Sequence, residues 1–408
     1  MDGWVMGVFL VVYGGMILGG IPGLSLDRTG IALLGAIALT VSGRLSVQEA
    51  LGSVDIPTMV LLFGLMVVSA QLRLGGFYTW VVRRLGTAGI GPKAMLGGLV
   101  VIAGGLSALL ANDVVCLAMT PVLVEVCARR GWRPAPFLLA LAASANVGSA
   151  ATLIGNPQNM LIGQALHLSF GGYLVDGGVP ALLGLGVVWV VVVATYRGRF
   201  DGTCAPVALD LPPFRQWQSL KGLLVLAGLL VLFLLEWVPR ELVALSAAAI
   251  LMTSRKMASR QVLGLVDWQL LVLFLGLFVV NHAVQESGLA GRLVLAVSGR
   301  GADLSHPGWL FGTSVVLSNL VSNVPAVMLL LPMAHHPLAG PVLALSSTLA
   351  GNLLLVGSIA NLIVVDQAGR LGVSIGWREH ARVGIPVTIG TLAIAALWLW
   401  GISLGGGG

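Results

Sequence analysis

Residues 145–159, ANVGSAATLIGNPQN, set Asn146, Asn156, Gln158 and Asn159 beside Gly155 and Pro157 in a chain that is 57 % hydrophobic and 9 % charged. Carboxamides donate and accept hydrogen bonds without carrying charge, so their chemistry is recognition of a polar solute. Glycine relaxes the backbone, and proline removes a donor and disfavours helix in the residue before it, so Gly155-Asn156-Pro157 should interrupt a helix. Half-helix ends expose N–H groups with partial positive charge on one side and carbonyls on the other, which suits a polar or anionic solute. Lipid tolerates such a break only where protein or a polar cavity satisfies it. Two motifs for bond-making chemistry are missing: the sequence has no HExxH and no GxxxxGK[ST]. Cys116, Cys127 and Cys204 are odd in number and lack metal-like spacing, so neither a disulfide framework nor a metal site is implied.

The elements that hold these residues must lie in a bilayer. A mean hydropathy of +0.98 cannot be hidden in one water-soluble core, and apolar runs near the roughly 20 residues of a crossing helix recur along nearly the whole chain. The first run follows Asp2 rather than a basic segment and reads as a retained helix. The net charge of +6 is spread over short loops rather than gathered on one face, which excludes nucleic acid as a partner and fits a positive-inside bias.

The chain is duplicated. VDIPTMVLLFGLMVV (54–68) aligns without a gap to VDWQLLVLFLGLFVV (266–280) with eight identities in fifteen positions. ANDVVCLAMTP (111–121) then answers SNVPAVMLLLP (322–332), pairing Asn112 with Asn323 and Pro121 with Pro332; LIGNPQN (153–159) answers LVGSIAN (355–361), pairing Gly155 with Gly357 and Asn159 with Asn361. Placing the basic clusters at 83–93, 129–133, 197–221, 255–260 and 370–382 in the cytoplasm leaves Arg44, Arg240, Arg292 and Arg300 outside and turns the two copies upside down relative to each other. Residues 94–128 then start and end inside, and 301–337 start and end outside, as re-entrant hairpins with tips at Ala111-Asn112-Asp113 and Ser322-Asn323-Val324. The expected fold is an all-α polytopic membrane protein of two inverted-topology repeats, with about ten crossing helices, two hairpins and two interrupted helices. The first repeat spans 1–196 with its broken helix at 134–168. A cytoplasmic linker fills 197–221, and the second repeat spans 222–404 with its broken helix at 340–369; 405–408 form a tail.

At ANDVVCLAMTP, SANVGSAATLIGNPQNMLIG, SNVPAVMLLLP and STLAGNLLLVGSIANLIVVDQA the chain resembles the arsenite-permease and citrate-transporter-like members of the ion transporter superfamily. The GNPQN form is similar to the branch with bacterial anion permeases and plant silicon efflux carriers. The resemblance covers most of 54–368 and implies a carrier of inorganic oxyanions, metalloid oxyacids or carboxylates. It places Asn112, Asp113, Ser322 and Asn323 at the tips, with Gly155, Asn156, Asn159, Gly357, Ser358 and Asn361 at the breaks. Sodium-coupled dicarboxylate carriers have Ser-Asn-Thr at both tips. Here the tips read Ala-Asn-Asp and Ser-Asn-Val, so most hydroxyls of a sodium-carboxylate site are missing, and Asp113 supplies a titratable group at membrane depth.

Few cationic side chains lie at that depth, so the expected solute is small, inorganic, and neutral or singly charged, of the arsenite or silicate type. Its export would be coupled to H+ through Asp113, with sodium-coupled uptake of a dicarboxylate or sulfate-type anion as the alternative and an intramembrane enzyme as a remote one. No cofactor or metal is called for; a homodimer or an associated ATPase subunit is compatible with the sequence. Asp55 and Asp267 begin their spans and read as helix caps. Glu125, His282, Glu286 and Asp366 sit toward span ends and read as interfacial or locally paired groups. The chain is expected in the inner (plasma) membrane.

Overall fold

The computed structural model describes residues 3–21, 23–202, 213–288 and 303–405, and every regular element among them is helical. Cys204, Arg292, Arg300, the middle of the expected linker, residues 301–302 of the second hairpin and the last three glycines lie outside the described residues. Among the described residues, six helices combine a length of at least 18 residues with the hydropathy of a span. In lipid a backbone without water must bond to itself, which is why this composition yields helices.

The chain opens with α1 (Gly3–Leu18), α2 (Arg28–Val41), the short α3 (Val47–Gly52), α4 (Ile56–Leu74) and α5 (Phe77–Thr87). A helix pair follows, α6 (Pro92–Leu109) and α7 (Asn112–Arg130), then an interrupted helix, α8 (Pro134–Ser149) and α9 (Pro157–Ala165), then α10 (Phe170–Thr195). The order recurs as α11 (Gln216–Leu235), α12 (Arg240–Met252), α13 (Ser259–Leu263) and α14 (Trp268–Glu286). A pair α15 (Pro307–Val321) and α16 (Asn323–Leu330), an interrupted helix α17 (Ala339–Ala350) and α18 (Ile359–Arg370), and α19 (Trp377–Gly405) complete it. The linker is shorter than the sequence suggests. Gln218 and Ser219 look like loop residues, yet both are buried: Gln71 donates to the Gln218 side chain at 3.0 Å and Ser219 to the Gly75 carbonyl at 3.0 Å, so α11 begins at Gln216.

The two copies hold each other. α4 packs on α12, and α2 on α14. A Cβ on Gly64 would sit 2.6 Å from the Ala244 carbonyl carbon, and one on Gly276 would sit 2.6 Å from that of Ala32. Small residues let helix backbones approach in lipid, and these contacts join equivalent positions of the two copies. The caps are equivalent too, with Asp55 accepting from the Thr58 amide at 3.0 Å and Asp267 from that of Leu270 at 2.9 Å.

Each pair of arms returns to its starting end. The Arg130 guanidinium, at the end of α7, donates to the Ile90 carbonyl just before α6, and His306 and His336, flanking the second pair, line one cavity. The interrupted helices run in opposite directions. Arg133 before α8 pairs with Glu379 at the start of α19 at 2.8 Å, whereas Gly340 at the start of α17 packs on Leu168 just past α9. At that second end, Arg240 donates to the Leu168 carbonyl, the Phe170 amide to Glu236 at 2.7 Å and Gln164 to Glu241 at 3.2 Å. Arg28, the counterpart of Arg240 in the first copy, has a buried Nε without a partner.

Candidate functional site

The sequence places helix breaks at Gly155-Asn156-Pro157 and near Gly357; in the structure they span 150–156 and 351–358. The first opens a turn earlier than expected because the Ala150 carbonyl is taken by the Tyr173 hydroxyl at 2.8 Å and no longer serves the helix. In the second copy the His380 ring meets the Asn352 carbonyl at 3.1 Å, the same contact made by a different residue type. Each tip seats against its own break. The Asn112 amide donates to the Gly155 carbonyl at 3.3 Å, and the Asn323 side-chain nitrogen would lie 3.2 Å from a Cβ on Gly351. Gly155 is obligatory for this seat, since a Cβ there would come within 2.3 Å of the Ser149 carbonyl and 2.8 Å of that of Ser107.

Two buried networks cross between the copies. Asn146 on α8 accepts from Ser358 at 2.8 Å and from Asn112 at 3.4 Å, and donates to Asn352 at 2.9 Å and Asn361 at 3.2 Å. Its counterpart Thr348 on α17 accepts from Asn156 at 3.2 Å and Gln158 at 3.1 Å, and donates to Asn159 at 3.3 Å. Ser149 joins the two networks by donating to the Asn146 carbonyl at 2.8 Å and accepting from Asn156 at 3.0 Å.

Asn159 and Asn361 work as clamps on the broken backbone. Asn159 donates to the Thr152 carbonyl at 3.0 Å, and Asn361 to the Gly351 carbonyl at 2.9 Å, restoring partners that the missing turns would have supplied. Asn156 and Ser358 cap α9 and α18, accepting from the Asn159 and Ala360 amides at 2.9 and 3.2 Å. Buried amide atoms without a partner at the tips and breaks include the side-chain oxygens of Asn112 and Asn323, one at each tip, the oxygen of Asn319 beside Gly357, and the nitrogen of Asn352. Ser322 makes no cap bond. It sits at φ 81°, a left-handed conformation that a side chain strains to adopt, and forms the second tip.

Four helices, α7, α9, α16 and α18, therefore begin at this centre, and four end there. Their N-termini bring partial positive charge and amide hydrogens to a place lined by carboxamides and hydroxyls. Asp113 is at the first tip, as expected, but its side chain leaves the amides. It lines a separate cavity of about 30 Å³, with Asp267 from α14, Leu62, Leu65 and Met66 from α4, and Pro157 and Met160 from α9. Glu125 is paired with Arg83 and Arg129 at 3.0 and 2.6 Å and Asp366 with Arg370 at 2.9 Å, away from the centre. Asn146, Gln158, Thr348 and Asn352 belong to the networks although the sequence reading left them out of the site. The signal available was that Asn146 and Thr348 fall at matching places in two helices whose other polar residues are serines.

Opposed hairpins and interrupted helices meeting on a buried, uncharged polar centre are the architecture of a membrane transporter. This chain belongs to the citrate transporter family, whose profile matches residues 8–342. It is 30 % identical to the silicon efflux transporter LSI3 of rice over 468 aligned positions, which cover 96 % of this chain and 94 % of that one. It is 31 % identical to the inner membrane protein YbiR of Escherichia coli over 80 % of this chain and 83 % of that one. The crystal structure of the Alcanivorax borkumensis YdaH transporter superposes with a TM-score of 0.62 at 18 % identity, covering 99 % and 98 % of the two chains, and shares the fold.

Proposed function

We propose that this protein exports a small hydroxylated oxyacid of the silicate or arsenite type across the plasma membrane, coupled to H+ and by alternating access. The observation that carries the reading is the chemistry of the centre. Tip oxygens of Asn112 and Asn323 without partners accept from hydroxyl groups, and the free Asn352 amide donates to an oxygen. No charged side chain among the described residues bonds into the two networks, so nothing there is built to neutralise a multiply charged anion. The kinship with a silicon efflux transporter agrees with this reading.

In this mechanism the two repeats, in opposite orientation, alternate the centre between the two sides, and Asp113 takes up and releases the coupling proton from its own cavity beside the solute. The same two tip oxygens also suit a cation, which keeps sodium-coupled uptake of a carboxylate as the second reading. Everted vesicles loaded by imposed proton or sodium gradients, with silicate, arsenite, antimonite, phosphate, sulfate and citrate in turn, separate the two. Proton-driven accumulation of silicate or arsenite is expected; sodium-driven accumulation of citrate or sulfate would replace this reading with the second.

A further inference from the structure

A cavity of about 810 Å³ lies far from the amide centre, between the ends of the second hairpin and the last stretch of α19. Its lining divides by chemistry. Phe311, Leu338, Val342 and Leu399 supply apolar lining, and Asp303, His306, His336 and Ser403 supply polar lining.

The polar groups are set in fixed states. His306 accepts the Gly308 amide at Nδ1 at 3.1 Å and His336 that of Leu338 at 3.0 Å. An imidazole that accepts at Nδ1 carries its proton on Nε2, so both rings offer an N–H donor, and neither Nε2 bonds to another described residue. Asp303 accepts the Ser305 hydroxyl at 2.7 Å and amide at 2.9 Å, both on Oδ1, which leaves Oδ2 for a cation. These bonds from Ser305 hold the Asp303 carboxyl below the usual carboxylate range, so it is charged at neutral pH.

The setting selects an amphiphile. Trp309 and Trp400 flank the cavity at 51 % and 63 % exposure, and Leu397 and Leu404 on α19 are 65 % and 67 % exposed. Exposed tryptophans at helix ends mark the headgroup level of a bilayer, so the cavity opens onto lipid where headgroups lie. Two N–H donors match a phosphate, a carboxylate among the same lining residues matches an ammonium that donates hydrogen bonds, and the apolar side chains of the lining match an acyl chain.

We propose that this cavity is a seat for one zwitterionic phospholipid with a primary ammonium headgroup, its phosphate on His306 and His336, its ammonium on Asp303 and its chain along Phe311, Val342 and Leu399. The site is separate from the solute centre and does not depend on the transport reading.

Native mass spectrometry of the delipidated full-length protein, titrated with phosphatidylethanolamine, phosphatidylcholine or phosphatidylglycerol, tests it. Phosphatidylethanolamine should bind about tenfold more tightly than phosphatidylcholine, the difference expected of one charge-assisted hydrogen bond. Asp303→Asn should erase that preference. The double variant His306→Asn with His336→Asn keeps an acceptor for the two backbone amides while removing the Nε2 donors, and should weaken all three lipids. Equal binding of ethanolamine and choline lipids by the unaltered protein would overturn the proposal, whatever the variants do. Glycerophosphoethanolamine or inorganic phosphate competing as well as the whole lipid would also overturn it, since the site would then be a soluble phosphate site.

Discussion

Asn146 has four side-chain partners in two copies of the repeat, and its loss would be felt at all of them. Asn146→Ala takes the partner from the Asn112 nitrogen, the Ser358 hydroxyl proton and the Asn352 and Asn361 oxygens, and every buried group so left costs about 1–3 kcal/mol. Transport should be abolished while the protein still reaches the membrane, as measured by uptake and by fractionation. Asp113 calls for the opposite kind of change. Asp113→Asn preserves shape, so it should remove proton-driven accumulation and spare solute exchange at zero gradient; accumulation driven only by a proton gradient in this variant would refute the coupling role. Residue types at the tips and breaks were readable in advance, because polar side chains stand out in an apolar chain. The direction of the Asp113 side chain was not, since a tip has two faces and only the packing of α4, α9 and α14 shows which face it takes.

At the scale of elements, the caps and breaks were legible and the crossings between copies were not. Asp55 and Asp267 announce helix starts by local chemistry alone. Asp267→Ala should lower stability by about 1 kcal/mol, and Asp267→Asn, which still accepts from Leu270, by much less, both read from thermal unfolding in detergent. That α4 packs on α12 rather than within its own copy depends on surfaces far apart in sequence. Gly64 and Gly276 nevertheless carry its trace, being aligned glycines in the repeat. Gly64→Val and Gly276→Val should damage folding to a similar degree, seen as loss of monodisperse protein, because each forces a branched side chain into the backbone of the facing helix. The start of α11 was missed because Gln218 and Ser219 look solvated until their partners Gln71 and Gly75 are seen.

For the whole molecule, duplication and charge bias made the inverted plan readable, as a sequence pattern that one physical rule converts into orientation. Single cysteines at Arg199 and Gly372, probed with a membrane-impermeant maleimide in intact cells and in everted vesicles, should react from the same side. Their reaction from opposite sides would break the plan.

The Arg240 end has a further consequence, for the balance between conformers. Arg240, Glu236 and Glu241 fasten the end of α9 and the turn after it to the junction of α11 and α12, whereas Arg28, in the matching place of the other copy, has a buried Nε that bonds to nothing. The two ends of a near-twofold architecture are thus fastened by different bonds, Arg133 to Glu379 at one and those of Arg240, Glu236 and Glu241 at the other, and in the proposed alternation the Arg240 bonds would favour the conformer that forms them. A charged hydrogen bond is worth about 1.5–3 kcal/mol, so removing one, as in Arg240→Gln, should shift the ratio of the two populations by about tenfold or more. Spin-label distances between α9 and α12 would report that shift as a growing second peak, and the resting state of the carrier would then be a property of one arginine.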